Sequence, residues 1–237
     1  MKELEDSPNF PVLLRNFQTE FIGYVTTKSN VYDGFVKHVN SLMLPQQPMT
    51  DLCSGSGEQA ISIFQKSNCF TQLILSDKYP NGALLNGDNI SYLPTSKDVL
   101  KMQFKRGTYY TMFNAFHHFS NEDKLKIIEK IHQSGARIFF VEILEPRIFC
   151  FLKVLFITTA GTLFLTPFMR PFSFKRFFFT YIVPVNVITI TYDGVVSVCK
   201  SLSVKDYQKL FSKHKSQVKV FRETEGVSPV VIIQSGI

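Results

Sequence analysis

A short segment that follows Pro48 constrains the fold more than any other part of the sequence. Residues 49–53 are apolar enough for a buried strand, residues 54–57 form a turn with two glycines, and residues 58–66 have helical spacing. A second strand pattern follows at 71–76. A strand, a helix and a strand in this order form a right-handed unit in which the two strands are parallel.

Helices precede this unit and further strands follow it. Apolar residues at helical spacing predict helices within 13–44. A further helix is predicted at 124–133, after a run of N-cap candidates. Strand patterns lie at 90–93, 109–113 and 136–143. The last of these contains a continuous apolar run at 138–141, which is typical of a strand that is covered on both faces of a parallel sheet.

The C-terminal part ends in two further strand patterns, at 218–222 and 229–234, which flank a turn at Gly226 and predict an antiparallel hairpin. We therefore predict an α/β fold with a Rossmann-like, seven-stranded, mostly parallel sheet, a C-terminal antiparallel hairpin and helices on both faces. A chain of 237 residues with 45% hydrophobic content can bury one such core, so a single domain is expected. Its predicted parts are the N-terminal helices (1–47), a cofactor-binding core (48–145), an apolar lid or insertion (146–192) and the last helix with the hairpin (193–237).

Charge and cysteine spacing limit the partners and the compartment. The Lys and Arg residues behind the net charge of +7 are scattered and form no nucleic-acid-binding motif, so no nucleic-acid partner is expected, whereas anionic lipid or an acidic substrate stays open. Acidic residues lie beside Lys2 before any apolar run, so we expect no secretory signal and a cytoplasmic location. The cysteines lack metal-site spacing and predict neither a metal site nor a disulfide: Cys53, Cys69, Cys150 and Cys199.

The glycine turn and the acid at the end of the second strand predict a site for a cofactor that contains adenosine. Gly55 and Gly57 lack the Cβ that would keep a ligand away from the backbone, and the following helix presents free N–H groups. Asp77, about 20 residues later, can accept hydrogen bonds from both hydroxyls of a ribose. The turn at 55–60 also fits the dinucleotide fingerprint, so an NAD-dependent enzyme stays open.

The run Asp-Leu-Cys-Ser-Gly-Ser-Gly at 51–57 resembles the first motif of the class I, Rossmann-like S-adenosylmethionine-dependent methyltransferases. The loop of that family usually reads Gly-x-Gly-x-Gly, and here Cys53 takes the place of the first glycine. We expect Cys53 to keep an ordinary φ below zero, which would make this departure tolerable. The predicted hairpin is similar to the antiparallel last strand of the family, and the stretches at 75–81, 113–119 and 192–197 look like one subgroup of small-molecule methyltransferases.

The resemblance implies S-adenosylmethionine as the cofactor and assigns the residues that hold it. Asp51 would lie near the amino-acid moiety, Gly55 and Gly57 would line its backbone, and Asp77 would hold the ribose. Asp98 is similar to the acid that contacts adenine in the family, with a helix N-cap as the alternative. The full predicted set is Asp51, Cys53, Ser54, Gly55, Gly57, Asp77, Lys78, Asp98 and Asn114.

Two histidines follow the fourth strand, at the sheet edge where ligands bind in open α/β folds. An imidazole of His117 or His118 could remove a proton from a hydroxyl, amine or carbon acid during methyl transfer, or it could cap and pack the next helix. Asn114 could orient a ligand or satisfy local backbone groups. Glu142, in the central strand, could reach the same pocket or have a partner elsewhere.

An apolar stretch at 148–169 is long enough to cross a bilayer, and a second apolar run lies at 177–192. Phenylalanine is concentrated in this region, which could be a lid over an apolar substrate, buried core, a dimer interface, a surface that docks on a membrane or a membrane span. Pro167, Pro171, Gly161 and Lys153 interrupt a clean span.

The sequence as a whole predicts a methyltransferase that transfers a methyl group from S-adenosylmethionine to an O, N or C atom of a small, apolar molecule. Two other functions stay open: an NAD-dependent oxidoreductase and a non-catalytic binding module of the same fold. A homodimer and membrane association through 148–192 are also compatible with the pattern.

Overall fold

The computed structural model describes residues 1–81, 87–214 and 217–236, and within them the strands form one sheet in the order β3-β2-β1-β4-β5-β7-β6. The strands β1 to β5 are parallel, and β7 is antiparallel to both of its neighbours. The strands are β1 (Gln47–Leu52), β2 (Phe70–Ser76), β3 (Ile90–Tyr92), β4 (Tyr109–Phe113), β5 (Arg137–Glu142), β6 (Val218–Glu223) and β7 (Val230–Ser235). This arrangement confirms the predicted fold class.

Helices cover both faces of the sheet. Their bounds are α1 (Val12–Lys28), α2 (Asp33–Ser41), α3 (Glu58–Lys66), α4 (Asn121–Ser134), α5 (Ile148–Phe156), α6 (Thr162–Leu165), α7 (Phe174–Tyr181), α8 (Val185–Lys200) and α9 (Val204–Leu210). On one face, α4 and α9 pack Ile127 and Tyr207 against Phe140 of β5. On the other, Phe35 of α2 makes edge-to-face contacts with Phe113 and Phe139. The alternating strand residues Phe139 and Phe140 therefore supply one side chain to each core.

The order of the strands sets where a ligand can bind. β1 lies between β2 and β4, and the chain leaves β1 on the route to β2 before it returns on the other side to β4. In open parallel sheets such a reversal opens a crevice beyond the carboxyl ends of the strands. The glycine turn after β1, Asp77 after β2 and the histidines after β4 all lie at this edge.

The region that follows β5 is helical but only partly buried. A continuous helical segment, Ile148–Phe168, contains α5, a wide π-type turn at Ile157–Gly161 and α6, and α8 runs past the predicted boundary at 192 to Lys200. In the described residues this segment is long and apolar enough to cross a membrane, and the bent pair α7 and α8 could count as a second span. Phe149, Phe164 and Phe174 are 77%, 74% and 82% exposed. Complete burial, one of the alternatives for this region, is therefore wrong for its outer face.

Candidate functional site

The turn after β1 has an alternating left-handed backbone. Cys53, Gly55 and Gly57 have φ values of 57°, 54° and 79°. The expectation that Cys53 would keep a negative φ was wrong, and a side chain in this conformation costs about 1–2 kcal/mol. The turn is held against β2, since Ser54 N donates to Ser76 O at 3.1 Å, and it is closed internally by the donation from Gly57 N to Ser54 O at 2.8 Å. These bonds require the sharp reversal at Cys53 whichever residue stands there.

Asp77 faces the glycine turn from the end of β2. Its Oδ2 accepts a hydrogen bond from Gly55 N at 2.8 Å, and its Oδ1 accepts one from Tyr79 N at 2.8 Å. Burial raises the pKa of Asp77 above its usual value, against the effect of these two hydrogen bonds. The Tyr92 hydroxyl donates to Gly55 O at 2.9 Å, so both sides of the Gly55 backbone are held.

A cavity of about 270 Å³ lies at this edge of the sheet, between the turns that follow β1, β2 and β4 and the inner faces of α1, α5 and α8. Most of its lining is apolar, including Phe113, Val154 and Ile190. It brings together the following predicted residues: Cys53, Ser54, Gly55, Asp77, Asn114, His117 and His118. The Oδ1 atom of Asn114 is buried in the described structure without a hydrogen-bond partner, and Asn114 itself has a φ of 51°.

Four residues of the predicted cofactor set do not line this cavity. Asp51 lies behind the turn, where it accepts a hydrogen bond from Thr111 Oγ1 at 2.7 Å. Gly57 is the residue that precedes α3. The side chain of Lys78 is exposed, and that of Asp98 caps the short 3-10 turn after it by accepting from Leu100 N at 3.0 Å. The capping contact of Asp98 is thus observed, while ligand contacts by Asp51, Gly57, Lys78 and Asp98 stay predictions.

His117 is held by Glu142, the acid in the central strand for which the sequence predicted no definite partner. The Nδ1 atom of His117 is 2.7 Å from Glu142 Oε2, and both residues are 1% exposed. The second oxygen, Oε1, accepts a hydrogen bond from Phe116 N at 2.7 Å. Because a carboxylate only accepts hydrogen bonds, it keeps a proton on Nδ1 of His117. The Nε2 atom is then free to accept a proton.

His118 has a different environment, formed by acids near the N-terminus. Its Nδ1 is 2.9 Å from Glu3 Oε2 and 3.2 Å from Asp6 Oδ1, and its Nε2 is 3.6 Å from Glu5 Oε1. Burial lowers the pKa of His118, but the hydrogen bonds to Asp6 and Glu3 outweigh it and raise the pKa well above its usual value. His118 is therefore a cation at neutral pH, and the two histidines cannot share one role.

The N-terminal cover, residues 3–7, forms one wall of the cavity through Glu5 and Asp6. Leu4 N and Glu5 N donate to the two carboxylate oxygens of Asp193 at 2.6 and 3.1 Å. Arg15 on α1 donates to the Glu5 and Ser7 carbonyls at 3.0 and 2.6 Å. Sequence reasoning used these acids only to argue against a secretory signal. The sequence does contain a signal for this contact: three acids lie within residues 3–6, and two adjacent histidines lie at 117–118. Their opposite charges could have suggested that the two segments meet.

The cover also completes a group of side chains that could hold a metal ion. Ligand atoms of Glu3, His117 and His118 lie within 4.8 Å of one another. However, Lys200 Nζ is 3.1 Å from Glu3 Oε1, and the imidazolium of His118 is 2.9 Å from Oε2. These two cations already balance the buried carboxylate, so the geometry favours an ion-pair cluster over a metal centre.

Buried carboxyl groups are expected to make the folded chain most stable at about pH 4. Burial raises the pKa of Asp51 from 3.8, and that of Glu5 from 4.5, to about 7. The folded state keeps these protons where the unfolded state has lost them, so stability falls as the pH rises from about 4 to about 7. Burial alone would raise the pKa values of Glu3 and Asp6, but His118 lowers them, and their contribution is lost below about pH 4.

Urea titrations at intervals from about pH 3 to pH 9 would measure this profile. A maximum in the free energy of unfolding above pH 7 would contradict the assignment. The variant Asp51→Asn should reduce the decline between pH 4 and pH 7, since it removes one of the groups that releases a proton there.

The fold can be compared with known proteins now that the site is described. No protein-family model matches the chain, and no curated protein matches it by sequence. Among solved structures, the pyocyanin biosynthetic protein PhzM has a TM-score of 0.51 at 13% identity, covering 87% of this chain and 55% of PhzM. Human N-acetylserotonin methyltransferase, solved with S-adenosylmethionine, has a TM-score of 0.51 at 14% identity, covering 89% and 51%.

A third similar structure is the family 2 O-methyltransferase from Planctomyces limnophilus, solved with apigenin, with a TM-score of 0.50 at 13% identity and coverage of 92% and 62%. The chain spans between half and two thirds of the length of these three proteins. The shared architecture is the class I methyltransferase fold, with β7 inserted antiparallel beside β5. The predicted fold of the S-adenosylmethionine-dependent methyltransferases is thereby confirmed.

Proposed function

We propose that this chain binds S-adenosylmethionine at the glycine turn and transfers its methyl group to a small, apolar molecule. The single observation that carries the proposal is the shared cavity, which holds the Gly55–Asp77 pair and the buried imidazole of His117. The class I methyltransferase fold supports it, since structures of similar fold bind this cofactor. The cytoplasmic location and a homodimer stay predictions.

The residues at the turn fit the cofactor. Gly55 lines the cavity at the turn, between the end of β1 and Asp77. Asp77 is fixed by two backbone N–H groups and has oxygen lone pairs left for ribose hydroxyls. The unpaired Oδ1 of Asn114 can accept a hydrogen bond from a donor such as the cofactor's ammonium group. Asp6, whose pKa His118 lowers, adds negative charge beside a cationic ligand.

When bound, the cofactor supplies an electrophilic methyl group on a sulfonium, and its sulfur keeps the electron pair of the broken bond. The task of the protein is to hold the nucleophile in line at near-contact distance and to receive its proton. His117 Nε2 accepts that proton, and Glu142 holds the ring in the required tautomer and stabilises the imidazolium that forms. We assign this role to His117 and not to His118, since hydrogen bonds to Asp6 and Glu3 raise the pKa of His118 and favour its protonated form.

The variant Asp77→Ala should weaken the binding of S-adenosylmethionine by about 1–3 kcal/mol, the range for a lost hydrogen bond to a charged group. Calorimetric titration with S-adenosylmethionine, S-adenosylhomocysteine and NAD in parallel measures this change. Asp88→Ala is the control, since Asp88 is exposed and does not line the cavity. Unchanged affinity for Asp77→Ala would remove the ribose assignment.

The same titrations separate the alternative functions. Tight binding of NAD without binding of S-adenosylmethionine would replace the proposal with an oxidoreductase. Binding of S-adenosylmethionine that no acceptor converts to S-adenosylhomocysteine would favour a non-catalytic module.

A further inference from the structure

The apolar face is the exposed outer surface of the helices between Ile148 and Ile188. It presents large side chains in a nearly continuous series along α5, α6 and α7, of which seven are at least 66% exposed: Ile148, Phe149, Phe156, Phe164, Phe168, Phe174 and Ile182. Water-soluble monomers seldom expose a contiguous apolar surface of more than a few hundred Å², and larger ones mark contact with a membrane or a protein.

The charged residues within the stretch that forms this face have one sign. Residues 146–192 contain no Asp or Glu, while Arg147, Lys153, Arg170 and Lys175 are exposed within them. Arg147 pairs with Glu145, and the other three form no ion pair within the described parts of the chain. Two copies of the chain that met through this face would place like charges opposite each other, whereas the headgroups of anionic lipids have the complementary charge.

The helices of the apolar face are fixed to the domain by their inner surfaces. Thr158, Thr162 and Thr166 are all at most 4% exposed, and they form a stripe at a spacing of four residues on the inner side of the helical segment. Arg176 on α7 is 4% exposed and donates to Glu20 Oε2 on α1 at 2.6 Å. A segment held in this way lies along a bilayer surface with its outer side chains inserted, because crossing the bilayer would break these contacts.

The same helices connect the apolar face to the cavity. Val154, Ile157 and Thr158 on the inner side of the helical segment line the cavity, and Phe149 and Phe156 lie on its exposed side. On α8, Ile190 lines the cavity while Ile188 is 64% exposed. A single layer of helix therefore separates the cavity from the apolar face.

We propose that the apolar face docks this protein on the surface of an anionic bilayer without crossing it, and that the methyl acceptor is an amphiphilic molecule dissolved in that bilayer. The second part depends on the proposed methyltransferase function, whereas the first does not. The acceptor would place its nucleophilic atom near His117 and its apolar part against the lining formed by α5 and α8.

Vesicle flotation of the full chain without S-adenosylmethionine tests the docking. The protein should float with vesicles of equal parts phosphatidylcholine and phosphatidylglycerol, and at least about tenfold less with phosphatidylcholine alone, since each of the three unpaired cations contributes up to about fivefold near an anionic surface. High salt should weaken the binding. The double variant Phe164→Glu/Phe174→Glu should reduce the vesicle-bound fraction at least about tenfold.

Matched controls use exposed residues away from the apolar face. Met43→Glu places the same charge at a site that is 95% exposed, and Lys37→Glu on α2 is the control for Lys175→Glu. Both controls should float like the wild type, whereas Lys175→Glu should float less. Circular dichroism and calorimetry with S-adenosylmethionine on each variant show that the fold and cofactor site are intact.

Three results would overturn the docking. Equal or absent flotation with both vesicle types excludes an anionic bilayer as the partner. Protein that resists alkaline extraction from the vesicles would span the bilayer. A dimer in light scattering that Phe164→Glu dissociates, without flotation, would make the face a contact between two copies of the chain.

The acceptor is tested separately with S-adenosylmethionine that carries a radioactive methyl group. The anionic vesicles contain a lipid extract as the source of acceptor, and after the reaction the lipids are recovered in an organic solvent. Radioactive label should appear in this organic phase with the wild-type protein and should be absent with Phe164→Glu/Phe174→Glu. Flotation without binding of S-adenosylmethionine would contradict the proposed function but not the docking. Binding of S-adenosylmethionine without flotation would contradict only the docking.

Discussion

Replacing His117 with alanine is expected to lower the turnover of methyl transfer at least about 100-fold, while the affinity for S-adenosylmethionine stays unchanged. The imidazole is buried at the cavity, its Nδ1 is held by Glu142 at 2.7 Å, and its Nε2 is the free position. Single-turnover measurement with saturating cofactor separates this loss from slow product release. His132→Ala, on the exposed side of α4, is the control and should retain full turnover.

Glu142→Gln gives an independent measure of the same assignment. A glutamine amide can hold the ring through its carbonyl oxygen but lacks the charge that stabilises the imidazolium, so turnover should fall and the acidic limb of the pH–rate profile should shift to lower pH. A purely structural role of His117 would leave that profile unmoved. Normal turnover in His117→Ala would return this residue to the packing of the 3-10 turn Phe116–His118.

Replacing Arg176 with methionine is expected to lower the free energy of unfolding by about 3 kcal/mol, the lower end of the range for removing one partner of a buried ion pair, since the Glu20 side chain is 29% exposed. The guanidinium donates to Glu20 Oε2 at 2.6 Å, to Pro171 O at 2.7 Å and to Met169 O at 3.2 Å. Without it, one carboxylate and two carbonyls lose their donor in a largely dry environment.

Urea unfolding, followed by circular dichroism, measures the loss. The matched control is Lys175→Met, one residue earlier, whose side chain is exposed and forms no ion pair in the described structure; its effect should stay within about 0.5 kcal/mol. If Arg176→Met differs from this control by less than about 1 kcal/mol, the helices of the apolar face are not held to α1 by this contact.

Strand positions were accessible from the sequence because buried strands are short apolar runs with turn residues between them. The predicted strand 109–113 matches β4, and the predicted turn at 54–57 coincides with the turn between β1 and α3 in the structure. Asp77 was also found, since an acid directly after a parallel strand must lie at the ligand-binding edge. These features are local, and a short window of sequence determines them.

Contacts between distant residues were not accessible in the same way. Glu3 and His118 are far apart in the chain, and the acids around Glu3 and the adjacent His117 indicate only that oppositely charged groups are present, not that they pair. The φ of Cys53 depends on the hydrogen bonds that tie the turn to Ser76, which no local pattern reveals. Similarly, an apolar helix has the same sequence pattern whether its outer face is buried or exposed, so the exposure of Phe149 and Phe164 required the folded structure.

The position of β7 has a consequence for how this chain folds. β5 pairs on one side with β4, through nearby residues, and on the other with β7, where Val141 lies opposite Ile232. The helices of the apolar face lie in the chain between these two partners. One edge of β5 therefore stays open during synthesis until the last strand has left the ribosome, and closing so long a loop slows this step relative to the pairing of β4 and β5. An unpaired apolar edge next to an apolar helix is prone to aggregate, so chaperones or early contact with lipid should raise the yield of folded protein.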